Sequence, residues 1–340
     1  MIIANLAILL LAGLAALVVA WLVRRQAAAL GLVAQPNARS SHQAPTPTGG
    51  GLGIVVGGSI SGLAMAFTGR PEMLLVVVLS LLMAAVGFVD DRRPLPVSIR
   101  LPLQLAFTGT MVTLVPAPAL MAAIGIDLPW LLFLAGLVVA AVYWLNIFNF
   151  MDGIDGLAAS QAAFMLLGAV LLALTALPGG NPYLWWLASV AAAALGFLIL
   201  NWPPARIFMG DVGSLYLGFV IAHGALVTIA NGWLSAWQWL LLGALFLADA
   251  TLTLGRRALR REAIFSAHRL HAYQHLSRRW GSHRRVTLLY LAVNLVLLLP
   301  LAWWAGLYPA TAPVATVAAY GLVVAGLLWA GAGAPETSDA

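Results

Sequence analysis

Apolar residues occur along this chain in long runs that are separated by short polar segments. A helix of about 20 apolar residues spans the roughly 30 Å hydrocarbon core of a bilayer, so each such run predicts a membrane-spanning helix. We count eleven runs. They cover residues 2–23, 50–69, 72–89, 101–117, 130–147, 157–177, 183–200, 214–230, 236–254, 286–306 and 311–331.

The arginines predict how these helices are oriented. All 17 basic residues are arginine, and with the N-terminus outside, 16 of them fall in alternate loops while only Arg70 lies outside. Those loops are 24–49, 90–100, 201–213 and 255–285. Because loops rich in arginine stay on the cytoplasmic side, this asymmetry predicts an outside N-terminus and a cytoplasmic C-terminus. No small-residue cleavage site ends the first run, which we therefore interpret as a retained helix and not a signal peptide.

Composition agrees with a membrane protein. The chain is 62% hydrophobic and 8% charged, with a mean hydropathy of +0.97, and a water-soluble globule of this size has no core large enough for so much apolar surface. We predict an all-α integral membrane protein, a polytopic bundle of about eleven transmembrane helices. It forms one domain, 1–340, with a disordered tail at 331–340. The absence of cysteine excludes disulfides, thiolate metal sites and cysteine nucleophiles.

The net charge of +6 does not indicate a nucleic-acid partner, because the arginines are spread over short loops as topology alone requires. The acidic residues are more informative. Of only eleven carboxylates, seven fall at or near the predicted cytoplasmic ends of helices. They are Asp90, Asp91, Asp152, Asp155, Asp211, Asp249 and Glu262. Such residues in a membrane protein usually mark a functional site, so we expect the chemistry on this face.

The first acidic motif is the pair Asp90 and Asp91, which ends the third run. Adjacent carboxylates can ligate a divalent cation, or one of them can act as a base when its neighbour raises its pKa. The alternative is a solvated helix end that balances Arg92 and Arg93.

The second motif is the polar segment 146–158, which contains Asn146, Asn149, Asp152 and Asp155 and two glycines. Glycines let the backbone approach a ligand, and the amides and carboxylates supply directional hydrogen bonds. A turn at Asp152 followed by Asp155 as a helix cap would explain one carboxylate but not the asparagines. We therefore favour a binding loop.

The third motif, 206–214, contains Arg206, Phe208 and Asp211 and begins the eighth span. Asp211 can bind Mg²⁺, and the backbone amides at the helix start favour phosphate. The same residues would also suit Asp211 as a simple N-cap with Ser214 three residues later.

Two further segments carry candidate phosphate contacts. His268, His271 and His275 have spacings of three and four, which predict three histidines on one helical face, suited to a pyrophosphate or, less well, to a transition metal. A polybasic segment at the lipid surface is the alternative. The loop after the first span offers Arg39 and His42 as phosphate contacts, or it is a connector only.

Asp249 lies within the ninth span. Both a functional role and a helix-to-helix hydrogen bond remain open for it.

Together these segments resemble the polyprenyl-phosphate N-acetylhexosamine-1-phosphate transferases, the family of MraY and WecA. The resemblance rests on the Asp-Asp pair, the Asn-x-x-Asn-x-x-Asp-Gly-x-Asp-Gly loop, the Gly-Asp-x-Gly-Ser loop, the histidine loop and the Pro-Thr-x-Gly-Gly stretch at 47–51. It covers about residues 33 to 285. The spaced histidines are more similar to the branch that starts O-antigen and other surface glycans than to the peptidoglycan branch.

The resemblance implies a set of roles. Asp211 would ligate Mg²⁺, for which Mn²⁺ can substitute, and Asp90 or Asp91 would activate the lipid phosphate. Asn149, Asp152 and Asp155 would hold the nucleotide sugar. Phe208 would stack on uracil, and Arg206 would join the histidine loop in contacting phosphates.

The implied reaction transfers a sugar 1-phosphate from a UDP-N-acetylsugar to undecaprenyl or another polyprenyl phosphate, with UMP as the product. It would take place at the cytoplasmic face of a bacterial inner membrane. Family members often pair as homodimers. The alternatives are the pentapeptide transferase of peptidoglycan synthesis, a CDP-alcohol phosphotransferase, an ion-coupled transporter and a lipid-binding scaffold. A transporter predicts charges near the midplane and repeated or broken helices, and the acidic motifs here lie at helix ends instead.

Overall fold

The computed structural model describes residues 2–35, 45–177, 180–263 and 268–335, and the chain within them is almost entirely helical. The helices are α1 (Ile2–Leu30), α2 (Gly51–Phe67), α3 (Glu72–Arg92), α4 (Val97–Thr113), α5 (Ala117–Ile124), α6 (Trp130–Phe150), α7 (Leu157–Ala176), α8 (Pro182–Asn201), α9 (Asp211–Ala230), α10 (Ala236–Leu242), α11 (Ala244–Leu259), α12 (Ala272–Trp280), α13 (His283–Val293), α14 (Leu299–Leu307) and α15 (Ala312–Ala330). A π-helical turn, Asn294–Leu298, makes α13 and α14 one continuous span.

Each of the eleven predicted runs coincides with a helix or a helix pair, so the prediction of an all-α polytopic membrane protein is confirmed. Among the described residues, 8 helices are long and apolar enough to span a bilayer, and two bent pairs raise the number to 10. The remaining run is the shorter apolar helix α2, which has 17 residues. The only strands in the described ranges, β1 (Val33–Ala34) and β2 (Thr46–Pro47), form a two-residue antiparallel ribbon.

The fourth and ninth runs are bent, which the sequence analysis did not predict. α4 and α5 meet at 86°, and α10 and α11 meet at 74°. Pro116 lies in the first break, directly before α5, where its ring and missing N–H prevent a regular helix from continuing. Gly243 lies at the second break, against the ring of Trp144 on α6.

Small residues allow the helices to approach closely. A Cβ on Gly196 of α8 would collide with the carbonyl of Gly13 on α1, and a Cβ on Gly53 of α2 would collide with the carbonyl of Ala16. Close backbone contact of this kind is a main source of helix association in membranes. α9 packs against α2, α3, α6 and α7, and it is the most buried of the eight long spans. The C-terminal ends of α3 and α6 and the N-terminal ends of α7 and α9 therefore meet at one end of the bundle.

The predicted disordered tail is wrong for its first residues. Ala332 is fully buried. Arg256 donates to the carbonyl of Ala332 at 2.7 Å, and Arg260 donates to that of Gly333 at 2.6 Å. These hydrogen bonds satisfy carbonyl groups of the segment that follows α15 and so fix it against α11. Residues 336–340 lie outside the described ranges.

Candidate active site at the polar end of the bundle

One cavity, of about 310 Å³, lies where the acidic segments meet. It is lined by Thr48, Asp91, Asn149, Asp152, Gly153, Ile154, Asp155, Asn201, Phe208, Met209, Gly210, Asp211, Gln274 and His283. Four of the seven carboxylates predicted to converge are in this lining. The other three, Asp90, Asp249 and Glu262, form contacts outside it, which are described below.

Asp91 holds the beginning of α9 in place. Its two carboxylate oxygens accept hydrogen bonds from the backbone N–H groups of Asp211, at 2.8 Å, and Val212, at 3.1 Å. A carboxylate at this position satisfies amides that the helix leaves free, and it lies at the positive end of the helix dipole. The interpretation of Asp211 as its own helix's N-cap is therefore wrong: Gly210, with a φ of +75°, is the N-cap residue, and Asp91 of α3 supplies the capping carboxylate.

Asp90 does not line the cavity, although its carboxylate is close to that of Asp211. It accepts hydrogen bonds from the backbone N–H of Leu95 at 2.6 Å and from Arg100 at 2.7 Å. The same Arg100 nitrogen lies 3.9 Å from Asp211. Arg100 thus links the two acidic motifs electrostatically. The sequence analysis did not predict this role, although a single arginine at the start of a span, ten residues after an acidic pair, could have suggested an ion pair with it.

Asn149 orients the carboxylate of Asp211. Its amide donates to one Asp211 oxygen at 2.8 Å and to the hydroxyl of Ser214 at 2.9 Å. The other Asp211 oxygen lies 3.9 Å from Arg100 and close to the carboxylate of Asp90, and Asp211 also lines the cavity. Asn146, one turn earlier, donates to Gln104 of α4 at 2.8 Å and so ties α6 to α4.

The loop between α6 and α7 turns its acidic residues into the cavity. Met151 is buried in the core, whereas Asp152, Ile154 and Asp155 line the cavity. Asp155 accepts from the backbone N–H of Ala205 at 3.0 Å, and it does not cap α7, whose N-cap residue is Gly156. The alternative interpretation of Asp155 as a cap is therefore wrong.

Burial raises the pKa of Asp152 well above the ordinary value of an aspartic acid, and the negative charges of Asp211, Asp91 and Asp155 raise it further. The cavity therefore gathers more negative charge than its own side chains neutralise. A bound cation would relieve this repulsion.

Asp152→Asn is expected to stabilise the folded protein. Above about pH 4 the unfolded chain loses the Asp152 proton while the folded chain keeps it, so wild-type stability falls as pH rises toward the raised folded pKa. Asparagine has no proton to lose in this pH range, so the variant lacks this loss of stability. The thermal midpoint of the variant minus that of the wild type, measured in detergent with EDTA, should be small at pH 4 and grow toward pH 7. An advantage that does not change with pH would contradict this account; the exposed Asp127→Asn serves as the control.

The three loop histidines do not form one helical face, so that prediction is wrong. α12 begins only at Ala272, which leaves His268 and His271 before the helix. None of the three lines the cavity. His271 is buried, 3.5 Å from Asp249. Burial, together with nearby positive charge, lowers the pKa of His268 to about 4, so its ring is neutral at physiological pH and poorly suited to phosphate.

Asp249 explains why α12 begins where it does. Its carboxylate is fully buried and accepts hydrogen bonds from the backbone N–H groups of Ala272 at 2.9 Å and Tyr273 at 3.3 Å. The hydroxyl of Tyr290 donates to it at 3.0 Å. The helix-to-helix interpretation is the correct one. Glu262 pairs with Arg257 at 3.0 Å and with Arg260 at 2.6 Å, and so has a local role.

The stretch 47–51 supports the third motif. Phe208 N–H donates to Pro47 O at 2.8 Å, and Gly50 N–H donates to Phe208 O at 2.9 Å. These bonds fix the backbone of Phe208, which is one of the residues that line the cavity. Arg206 is exposed and is not part of the lining. Arg39 and His42 lie outside the described residues.

The structure adds three cavity residues that the sequence analysis missed: Asn201, Gln274 and His283. Asn201 accepts from Gly156 N–H at 2.9 Å and donates to Ile207 O at 3.0 Å, so it joins two loops of the site. Asn201 is the last residue of α8, at the same polar end of the bundle as the acidic motifs. A polar residue at this end of a predicted span could have indicated its role from the sequence.

The donor set suits Mg²⁺. This ion takes oxygen ligands, usually one or two carboxylates together with substrate phosphates and water. Asp211, with Asp91 and Asp152 in the same lining, matches that requirement. The described residues contain no group of three or more His, Cys, Asp or Glu arranged as a complete metal cage. A dedicated zinc-type site is thus not formed among them.

Comparison with known proteins agrees with this geometry. Residues 73–229 match glycosyl transferase family 4. The chain is 34% identical over 262 residues to the phospho-N-acetylmuramoyl-pentapeptide-transferase of a Synechococcus strain, and the aligned region covers 71% of each of the two proteins. It is 30% identical to the decaprenyl-phosphate N-acetylglucosaminephosphotransferase of Mycolicibacterium smegmatis, covering 85% of this chain and 80% of that protein. It is 29% identical to the "Probable undecaprenyl-phosphate N-acetylglucosaminyl 1-phosphate transferase" of Bacillus subtilis, covering 83% and 80%. The chain therefore belongs to glycosyl transferase family 4, the membrane-embedded transferases of sugar phosphates to polyprenyl phosphate.

Proposed function

We propose that this enzyme transfers an N-acetylhexosamine 1-phosphate, or a 6-deoxy relative of it, from a UDP-sugar to undecaprenyl phosphate and releases UMP. The observation that carries the proposal is the cavity at the polar end of the bundle, which is lined by carboxylates from three separate segments: Asp91, the pair Asp152 and Asp155, and Asp211. A site at the end of membrane helices suits a reaction between a soluble nucleotide and a lipid head group.

The acceptor's tail has a matching surface. An apolar groove of about 350 Å³ runs between α6, α9 and the bent pair α10–α11, lined by residues such as Trp144, Met165, Ile221 and Trp239. Trp144 precedes Asn149 by five residues, which is about 7.5 Å along a helix. A polyprenyl tail in this groove would therefore bring its phosphate close to the cavity.

The donor would occupy the cavity itself. Asn149, Asp152 and Asp155 would hold the nucleotide sugar, and the Phe208 ring in the cavity wall would stack on uracil. Mg²⁺, held by Asp211 together with substrate oxygens, would neutralise negative charge on the diphosphate.

The reaction needs little proton transfer. The second pKa of a phosphate monoester is about 6, so the acceptor phosphate is already largely ionised at pH 7. One of its oxygens forms a bond to the β-phosphorus of the donor, the bond between that phosphorus and the bridging oxygen breaks, and UMP leaves with the electron pair. Of the two candidate bases, Asp91 lines the cavity and Asp90 does not. We therefore assign Asp91 to orienting the reactants and Asp90 to fixing Arg100.

The site would face the cytoplasm of a bacterial inner membrane. This orientation rests on the 16 of 17 arginines that fall in the loops at that end of the helices. The spaced histidines support a role in starting O-antigen or another surface glycan. The pentapeptide transferase of peptidoglycan synthesis is the second candidate, supported by the similarity to the Synechococcus protein.

A panel of donors tests the proposal. Purified protein in detergent is incubated with undecaprenyl phosphate, Mg²⁺ and each of several UDP-N-acetylsugars, including UDP-MurNAc-pentapeptide, and UMP is measured. UMP with one N-acetylhexosamine donor is the expected result. UMP only with the pentapeptide donor would select the second candidate, and no UMP with any donor would contradict the proposed reaction.

A further inference from the structure

The charges that line the cavity pose a problem for a diphosphate ligand. Four of the described lining side chains are carboxylates, and His283 is the one side chain among them that can carry a positive charge. The amides of Asn149 and Asn201 already donate hydrogen bonds within the protein. Hydrogen-bond donors for the phosphate oxygens must therefore come from other side chains of the lining.

His283 is held in a defined orientation. It is the first residue of α13, and the N-cap hydroxyl of Ser282 accepts from Arg285 N–H at 3.3 Å. The ring Nδ1 accepts the backbone N–H of Asp155 at 3.4 Å and lies 3.2 Å from the Asp155 carboxylate. One turn later, Thr287 donates to the backbone carbonyl of Asp155 at 2.9 Å, which fixes the helix start against the acidic loop. The second ring nitrogen, Nε2, has no protein partner in the described part of the chain.

Gln274 is oriented in a similar way. The side chain is only 7% exposed, and its Oε1 accepts the backbone N–H of His271 at 3.2 Å. With the oxygen fixed in this bond, the amide nitrogen is the group left for the cavity that Gln274 lines. No described residue accepts a hydrogen bond from that nitrogen. This donor therefore belongs to a side chain of the cavity lining, where a ligand oxygen can act as its acceptor.

We infer that Gln274 and His283 form the subsite that binds the diphosphate of the nucleotide sugar, the role that the sequence pattern predicted for His268, His271 and His275. The inference rests on the proposed function for the identity of the ligand. His271 instead has a positioning role: its ring contacts Asp249, and its backbone N–H orients the Gln274 side chain.

Binding of UDP and of uridine to the full-length protein, with Mg²⁺ present, tests this directly and requires no turnover. UDP is titrated by calorimetry, and uridine, which lacks both phosphates, is measured by displacement of UDP. Gln274→Glu keeps the bond to His271 and loses the donor, and Gln274→Met loses the donor without adding charge. His283→Asn keeps a group near Asp155 and removes only the distal nitrogen. His283→Gln restores a donor near the Nε2 position.

Gln274→Glu, Gln274→Met and His283→Asn are expected to weaken UDP binding about tenfold or more, the effect of one lost hydrogen bond to a charged group. Uridine affinity should stay within about twofold of wild type, and His283→Gln should recover most of the loss. His275→Asn is the matched control and should bind UDP like wild type. Unchanged UDP affinity in the test variants, or equal losses for UDP and uridine, would overturn the inference. An enzyme that binds UDP as described but releases no UMP would instead count against the proposed function.

Discussion

Replacing Asp211 by Asn is expected to reduce UMP release by about 10²- to 10³-fold, the usual effect of removing one preorganised electrostatic group from an active site. The change removes the negative charge that would hold Mg²⁺ in the cavity that Asp211 lines. It should not unfold α9, because Asp91 caps that helix through the backbone N–H groups of residues 211 and 212. Asp127→Asn, at an exposed position far from the acidic motifs along the chain, is the matched control.

Initial rates at saturating donor and acceptor, together with the thermal midpoint in detergent, check this prediction. The expected variant has a wild-type midpoint and almost no turnover, and added Mg²⁺ should not restore the rate. If Asp211→Asn kept more than about a tenth of wild-type activity, Asp211 would not have the role assigned to it.

Gly87→Ala is expected to lower UMP release by about 100-fold although residue 87 touches no substrate. A Cβ at this position would collide with the backbone carbonyl of Asp211 and crowd the N–H of Val212. Residues 87 and 91 are one turn apart on the same face of α3, so moving α9 away would also break the Asp91 cap. A displacement of about 1 Å at a catalytic group is enough for a loss of this size.

Gly109→Ala in α4 is the control, because a Cβ there meets nothing within 4 Å and alanine is the better helix former by about 1 kcal/mol. It should leave turnover unchanged. Gly87→Ala should also lower the thermal midpoint, since the close contact of α3 and α9 is lost. Wild-type turnover in Gly87→Ala would show that the position of the α9 start does not control the site.

Much of the fold follows from the sequence because a bilayer imposes a simple length requirement on each span. The helices at 72–92, 157–176 and 211–230 begin and end within a few residues of the predicted runs. The bend between α4 and α5 could have been predicted, because Pro116 is visible in the sequence. The burial of Ala332 could not, because it depends on contacts of the following segment with Arg256 and Arg260, which are distant in the sequence.

The acidic residues of the cavity could be predicted individually, but their partners could not. Capping rules assign a carboxylate to its own helix, whereas Asp91 caps α9 and Asp249 caps α12 across the bundle. The histidine spacing suggested one helical face because periodicity does not indicate where a helix begins. The start of α12 at Ala272 is fixed by a residue 23 positions earlier, and this contact turns Gln274, not the histidines, toward the cavity.

The fate of the donor's β-phosphorus tests the central claim most directly. UDP-sugar labelled with ³²P in the β-phosphate is incubated with the enzyme, undecaprenyl phosphate and Mg²⁺, and the products are partitioned between butanol and water. Transfer of a sugar 1-phosphate predicts that the label enters the lipid phase in step with unlabelled UMP in the aqueous phase. Label that stays in the aqueous phase as UDP, while the sugar enters the lipid, would mean that the sugar–phosphate bond is broken instead, and would contradict the reaction proposed for this cavity.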